Sequence, residues 1–134
     1  MCRDLSLAVC PYAPLAGGFL SGKYERQPNG DVTIPEGSRA DVAESFGPFP
    51  ERWWRVIEAI KRVAMAVGAT PAQIALAWAA KIEGLTSVPI FGGKSVDQLE
   101  ENIAASEISL SPSQYEAISE AGRYTRSDNP YSWD

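Results

Sequence analysis

Residues able to bind an anion are concentrated in one short stretch, which follows a run of β-branched and aromatic residues at 86–91. Gly92 and Gly93 allow a sharp turn and a close approach of the backbone to a ligand. Lys94 then places a positive charge beside a helix whose predicted N-cap is Ser95. Free N–H groups and the positive end of the helix dipole favour phosphate there. The stretch therefore predicts a phosphate site, although a plain strand-to-helix connection fits the same spacing equally well.

Polar side chains continue along one side of the predicted helix. Gln98, Glu101 and Asn102 follow Ser95 at offsets of three, six and seven residues, so they share one side of its first two turns. Ser95 and Gln98 also have the spacing of a capping box. Polar groups fixed beside a phosphate site could recognise the edge of an adenine. A solvated helix face is the alternative interpretation.

A second loop with binding chemistry follows the first apolar segment. Leu5, Leu7 and Val9 alternate with small residues, which predicts a strand between two packed layers with Cys10 buried. Prolines end the strand, glycines permit a tight backbone path, and Lys23 closes the loop with a positive charge. An ordinary connecting loop is the alternative here.

Both stretches resemble the nucleotide-binding end of the aldo-keto reductases, close to the potassium-channel β-subunit branch of that family. One motif is Phe91-Gly92-Gly93-Lys94-Ser95 with Gln98-Leu99-Glu100-Glu101-Asn102. The other runs from Tyr12-Ala13-Pro14-Leu15 to Gly22-Lys23-Tyr24. The family often has serine where this chain has Ala13, which removes one side-chain hydrogen bond.

The resemblance implies NADP(H) as the cofactor and gives roles to the matching residues. An aromatic residue that stacks on the nicotinamide corresponds to Tyr12, and the backbone and lysine that hold the pyrophosphate correspond to Pro14, Leu15 and Lys23. Ser38-Arg39-Ala40 resembles a segment whose arginine folds over the cofactor, with a solvated arginine as the alternative. The implied cofactor-binding residues are Tyr12, Pro14, Leu15, Lys23, Arg39, Gly92, Lys94, Ser95, Gln98, Glu101 and Asn102.

Helical patterns separate and follow the two predicted strands. From Glu51, an apolar stripe predicts a helix that Gly68 ends; its members are Trp53, Ile57, Ile60, Ala64 and Val67. Capping boxes predict a helix from Thr70 to about Ile82 and another from Ser111 to about Ala121. A further helix is predicted from Ser95 to about Ala105. The range 25–50, rich in Pro, Gly and charge, predicts a mobile loop, and 122–134 a tail without a pattern.

Strands that alternate with helices indicate an α/β fold with parallel strands and right-handed crossovers. The resemblance implies that residues 1–134 are the C-terminal portion of a (β/α)₈ barrel, with the seventh and eighth βα units and the C-terminal helix. In that fold, ligands bind at the carboxyl ends of the strands, where both loops would lie.

Composition excludes several classes of partner. The 134 residues carry a net charge of −5, which argues against a general nucleic-acid surface or an anionic membrane surface. The sequence has no membrane-spanning apolar run and no signal peptide, so a cytoplasmic location is expected. Two cysteines are predicted to be reduced thiols, and neither they nor the carboxylates have the spacing of metal ligands.

The absence of histidine bears on the reaction. The family reduces carbonyls with NADPH through a tyrosine assisted by lysine, aspartate and histidine, and these lie in the first half of the barrel. None of the five tyrosines has that context, so no catalytic residue is predicted. The sequence is thus interpreted as a truncated aldo-keto reductase that retains the cofactor half of the site. The alternative is a non-catalytic nucleotide-binding or structural module. Because two strands leave both edges open, a homo-oligomer or a complementary barrel fragment is the expected partner.

Overall fold

The computed structural model describes residues 1–38 and 49–123, and α-helices form most of its regular structure. The helices are α1 Glu51–Val67, α2 Pro71–Ala80, α3 Val96–Ala104 and α4 Pro112–Ala121, with 3₁₀ segments at Ala16–Ser21 and Ala105–Glu107. A small antiparallel sheet consists of β1 Glu25–Arg26 and β2 Val32–Thr33. No single helix in these described ranges is long and apolar enough to cross a membrane; α1 and α2 together meet that criterion but are bent by 101°.

The predicted helix boundaries are confirmed where the sequence carries a local capping signal. The hydroxyl oxygen of Thr70 accepts the Gln73 N–H at 3.3 Å, and Gln73 Oε1 accepts the Thr70 N–H at 3.0 Å. Ser111 and Gln114 form the same reciprocal pair at the start of α4. Gly68 ends α1 with a φ of 70°, a left-handed conformation that suits glycine. Each of these helix ends is determined by residues within one turn of it.

The hydrophobic core lies where α1 packs against α2 and α4. Its most buried large side chains are Phe19, Ile57, Ile60 and Ile74. The predicted apolar stripe of α1 needs one correction, because Val67 is 39% exposed while Trp54 and Val63 are buried. Val67 is the last residue of α1 before Gly68, and the buried part of the stripe ends at Ala64.

The two predicted strands are reduced to a pair of isolated parallel bridges, Val9 with Ser87 and Tyr12 with Ile90. Their parallel direction is as predicted, but their predicted length is wrong. Residues 1–7 form turns instead, with a φ of 51° at Ser6, and Leu5 is 61% exposed. No described residue pairs with the outer edges of the two segments, so only the three hydrogen bonds between them hold them extended.

The same lack of a covering layer explains a second correction. Cys10, predicted to be buried, is exposed, and Cys2 is half-buried. Both thiols are free, as expected.

The segment 25–50 contains the hairpin β1–β2, which the sequence did not predict. Glu25 pairs with Thr33 and Arg26 with Val32, and the side chains of Asn29 and Asp31 form its turn. Arg26 Nη1 also donates to Glu51 Oε2 at 2.7 Å, which joins the hairpin to α1. Residues 39–48 and 124–134 lie outside the described part, so the predicted mobile loop and tail stay predictions.

Candidate functional site

The two loops singled out from the sequence face each other across an open cleft with a cavity of about 780 Å³. The bridge between Tyr12 and Ile90 joins them, with the Pro11 carbonyl accepting the Ile90 N–H at 2.9 Å. Because the two segments run parallel, their carboxyl ends lie at the same edge, and the loops that follow must meet there. The cleft lies between the loop at 12–23 on one side and the turn at 91–94 with α3 on the other.

Most residues predicted to bind the cofactor line this cleft: Tyr12, Pro14, Leu15, Lys23, Gly92, Lys94, Gln98, Glu101 and Asn102. Ser95 is not among the lining residues and acts instead as the N-cap of α3. Arg39 lies outside the described residues. The structure thus brings together groups that are up to 90 positions apart in the chain, while their binding of a cofactor stays a prediction.

Several lining residues were not among the predicted cofactor-binding residues: Gly17, Gly18, Ser21, Gly37, Ala72 and Gly93. Gly93 shows why small residues are needed here. A Cβ at this position would lie 3.2 Å from both the Leu99 nitrogen and the Ser95 oxygen. These are backbone atoms that cannot move independently of α3. The pair of glycines after an apolar run was the available signal, and it identified the turn but not which glycine is sterically required.

The loop at 12–23 follows an unusual backbone path. Positive φ values occur at Ala13 (52°), Ala16 (48°), Gly17 (66°) and Gly18 (97°). Such values are disfavoured for alanine, so the surrounding structure must hold them in place. Phe19 does so, because it is 1% exposed and packs against Trp53 and Trp54 of α1. The core therefore anchors one wall of the cleft.

The start of α3 differs from the predicted capping box. Ser95 Oγ accepts the Gln98 N–H at 3.2 Å, as expected. Gln98 Oε1, however, accepts the N–H of Lys94 at 2.9 Å rather than that of Ser95. The reciprocal half of the predicted box is therefore wrong by one residue. This bond holds the backbone of Lys94 at the turn from which its side chain extends into the cleft.

Two lysines supply the positive charge of the cleft. Lys23 Nζ lies near Gly18, where an added Cβ would be 3.5 Å from it, and 5.7 Å from the centre of the Tyr24 ring. Loss of hydration there, with a smaller contribution from the positive charge of Lys94, lowers the pKa of Lys23 below its ordinary 10.5. Lys94 Nζ donates to the Gly37 carbonyl at 2.6 Å. An anion between the two ammonium groups would relieve their repulsion.

A buried amide also lines the cleft. Asn102 is 6% exposed, yet it lines the cavity, and its side chain makes no hydrogen bond to another described residue. Its amide atoms are open to the cleft, where a ligand with matching polar atoms can form hydrogen bonds to them. Glu101 precedes it on α3, and the Glu101 carbonyl accepts a hydrogen bond from Gln73 Nε2 at 3.1 Å.

The donor set of the cleft suits a phosphorylated nucleotide better than a metal ion. Within residues 1–38 and 49–123, no group of three or more His, Cys, Asp or Glu side chains could hold a metal. Two cations, a helix N-terminus and a buried amide fit phosphate and a nucleobase instead. Tyr12, which is 86% exposed, adds an aromatic ring to the lining of the cleft.

Comparison with known proteins shows which family this chain matches. The model of the Aldo/keto reductase family matches residues 1–123. An uncharacterized oxidoreductase of Mycobacterium tuberculosis is 39% identical over 121 residues, 88% of this chain and 34% of that protein. A probable aldo-keto reductase 1 of Glycine max is 32% identical over 142 residues, 99% of this chain and 39% of that protein.

A third relative carries a cofactor in its name. The aldo-keto reductase yakc [NADP(+)] of Schizosaccharomyces pombe is 34% identical over 123 residues, 90% of this chain and 34% of its own length. The chain thus spans between about a third and two-fifths of the length of these relatives. The family domain implies a (β/α)₈ barrel, to which the described residues contribute helices and a small two-stranded sheet, and the family generally uses NAD(P)H. The chain belongs to the aldo/keto reductase family.

Proposed function

We propose that this chain forms the NADP(H)-binding part of an NADPH-dependent carbonyl oxidoreductase. In the family barrel it would correspond to the seventh and eighth βα units and the C-terminal helix. The observation that carries the proposal is the position of Lys23 and Lys94 in one cleft that the buried Asn102 also lines. When bound, NADPH supplies the hydride; the residues described here bind and orient it.

Each wall of the cleft has its own part in that binding. In this proposal Lys94, whose N–H donates to Gln98 Oε1 at the start of α3, binds the 2′-phosphate. Lys23 and the backbone of Pro14 and Leu15 hold the pyrophosphate, and the exposed ring of Tyr12 stacks on the nicotinamide. On α3, the side chains of Gln98, Glu101 and Asn102 face the adenine. Arg39 completes the proposed set from outside the described residues.

The proposal predicts a preference for the phosphorylated cofactor. A charge-assisted hydrogen bond contributes about 1.5–3 kcal/mol, which corresponds to roughly ten- to more than hundredfold tighter binding of NADPH than of NADH. Fluorescence titration of both cofactors measures this ratio. Lys94→Ala should bring it close to one, whereas Lys61→Ala, which removes a lysine outside the cleft, should leave it unchanged. Equal affinities for NADPH and NADH in the unaltered protein would overturn the assignment.

The chain alone is proposed to be inactive in carbonyl reduction. It contains no histidine, and none of its tyrosines has the sequence context of the family's catalytic acid. A missing general acid and its partners usually lower the rate by about 10²–10⁴-fold. Oxidation of NADPH by a nitrobenzaldehyde, abolished in Lys94→Ala, would contradict this proposal.

A second candidate function is that of a structural assembly module, and the exposed apolar side chains favour it. Val88 and Ile90 on one strand segment and Val96, Leu99 and Ile103 on α3 are each 42–69% exposed. Contiguous exposed apolar surface marks an interaction site. We propose that a second copy or a complementary barrel fragment covers it. Light scattering at micromolar concentration tests this, and a compact monomer that binds no hydrophobic dye would rule it out.

Two finer assignments are proposals from the sequence alone. The turn Phe91-Gly92-Gly93-Lys94-Ser95 supports a place near the potassium-channel β-subunit branch of the family. The two free thiols are consistent with a reducing compartment, and we propose the cytoplasm.

A further inference from the structure

The side-chain amide of Gln73 uses both of its ends. Its Oε1 accepts the Thr70 N–H at 3.0 Å and so completes the capping box of α2. Its Nε2 donates to the Glu101 carbonyl at 3.1 Å, 28 positions away on α3. One side chain therefore caps the helix on which it lies and ties that helix to the α3 wall of the cleft.

The position of this hydrogen bond on α3 links it to the cleft. It fixes the backbone at Glu101, immediately before Asn102, and both side chains line the cleft. Ala72, next to Gln73, lines the cleft as well. The other end of α3 is held differently, by Ser95 and Gln98 within its own first turn. The part of α3 that carries Glu101 and Asn102 is thus held by α2. The start of α3, next to Lys94, is held by its own capping bonds.

Gln114 provides a matched comparison within the same chain. It completes the capping box of α4 through the same Oε1 contact, accepting the Ser111 N–H at 2.8 Å. Its Nε2 forms no hydrogen bond to another described residue. Gln114 thus completes a capping box without a tertiary bond, so the tertiary bond of Gln73 is not a by-product of capping.

We propose that Gln73 is a positioning residue for recognition of the nucleobase. It acts through Glu101 and Asn102 and does not touch the ligand itself. This inference rests on the proposed nucleotide-binding function. It adds to that function the residue that fixes the position of α3 beside the cleft. Loss of the bond should weaken discrimination at the base while leaving the phosphate contacts of Lys94 in place.

The test uses Gln73→Glu and Gln114→Glu. Glutamate keeps the oxygen that each capping box needs, and it suits a helix N-terminus. At position 73 it removes the donor and sets a carboxylate against the Glu101 carbonyl. The readout is the ratio of dissociation constants for NADPH and its hypoxanthine analogue, which differ only at the base edge.

We expect the unaltered protein and Gln114→Glu to prefer NADPH by about three- to tenfold, the size of one hydrogen bond. Gln73→Glu should lower the ratio to near one. A general loss of stability or the added negative charge would weaken both ligands together and leave the ratio unchanged. An unchanged ratio in Gln73→Glu overturns the proposal.

A second measurement keeps the inference separate from the proposed function. Amide hydrogen exchange in the ligand-free protein should speed up across 101–105 in Gln73→Glu and stay unchanged there in Gln114→Glu. If neither cofactor binds the unaltered protein, the proposed function fails. Faster exchange would then still confirm that Gln73 positions α3, and unchanged exchange would overturn that as well.

Discussion

The helical half of this molecule and its cleft half are built by different means. In the helical half, α1, α2 and α4 enclose Ile57, Ile60 and Ile74, each no more than 1% exposed. In the cleft half, two isolated bridges join the strand segments, and Ile103 on α3 is 56% exposed. The first half is held by apolar packing, and the second by single hydrogen bonds and backbone turns.

This difference separates stability from binding. Apolar burial contributes roughly 25 cal/mol per Å², so the free energy of unfolding should reside mainly in the helical half. The loop at 12–23 is anchored to the core through Phe19, but the turn at 91–94 and α3 have few apolar contacts to oppose local movement. Substitutions in the two halves should therefore have effects of different kind and size.

The largest effect is expected from matched isoleucine substitutions. Ile74→Ala should lower the free energy of unfolding by about 2–5 kcal/mol, because it leaves a cavity in a fully packed site. Ile103→Ala should change it by less than about 0.5 kcal/mol, because half of that side chain is already in water. Chemical denaturation measures both. Similar losses at the two positions would show that another surface covers α3, and the comparison would fail.

Helix caps give an intermediate test. Ser111 caps α4, which packs on the core, and its removal in Ser111→Ala should cost about 1 kcal/mol of global stability. Ser95 caps α3, and Ser95→Ala should cost less than half as much globally because α3 opens locally first. Hydrogen exchange should instead speed up within Val96–Ala104. Equal global losses would mean that α3 unfolds only together with the core.

The smallest effect is electrostatic and belongs to the cleft alone. The lowered pKa of Lys23 means that the unfolded chain binds more protons than the folded one between that pKa and 10.5. Stability without ligand should therefore rise with pH across this window. In Lys94→Met, the pKa of Lys23 should move back toward 10.5, and the rise should shrink. Denaturation curves at several alkaline pH values test this, with an unaltered slope in Lys94→Met as the contrary result.

Features with local signals could be predicted from the sequence. Thr70 and Ser111 each meet their capping partner within one turn, so both helix starts were predicted correctly. The motif at 91–102 and the loop at 12–23 predicted the lining of the cleft because parallel strands must end at one edge. The hairpin β1–β2 was missed although it too has a local signal, because Asn29-Gly30 is a pair typical of hairpin turns and Gly30 has a φ of 91°.

Other features were missed because they depend on the structure that surrounds them. Strand length and the burial of Cys10 depend on strands and layers that the described residues do not include. Which N–H donates to Gln98 Oε1, and which carbonyl accepts from Gln73 Nε2, is decided only by the packed structure. Sequence thus indicated which residues meet, and packing decided which atoms bond.

The bridge between Tyr12 and Ile90 has a consequence for folding kinetics. It joins residues 78 positions apart, and closing a flexible loop of that length costs about 4 kcal/mol or more in chain entropy. The helices between them can form from local contacts first, so the cleft should close late, after the transition state. A ligand that touches both walls should then slow unfolding strongly and leave the folding rate almost unchanged. Bound nucleotide would then increase the kinetic stability of the folded chain by slowing its unfolding, without being needed for folding.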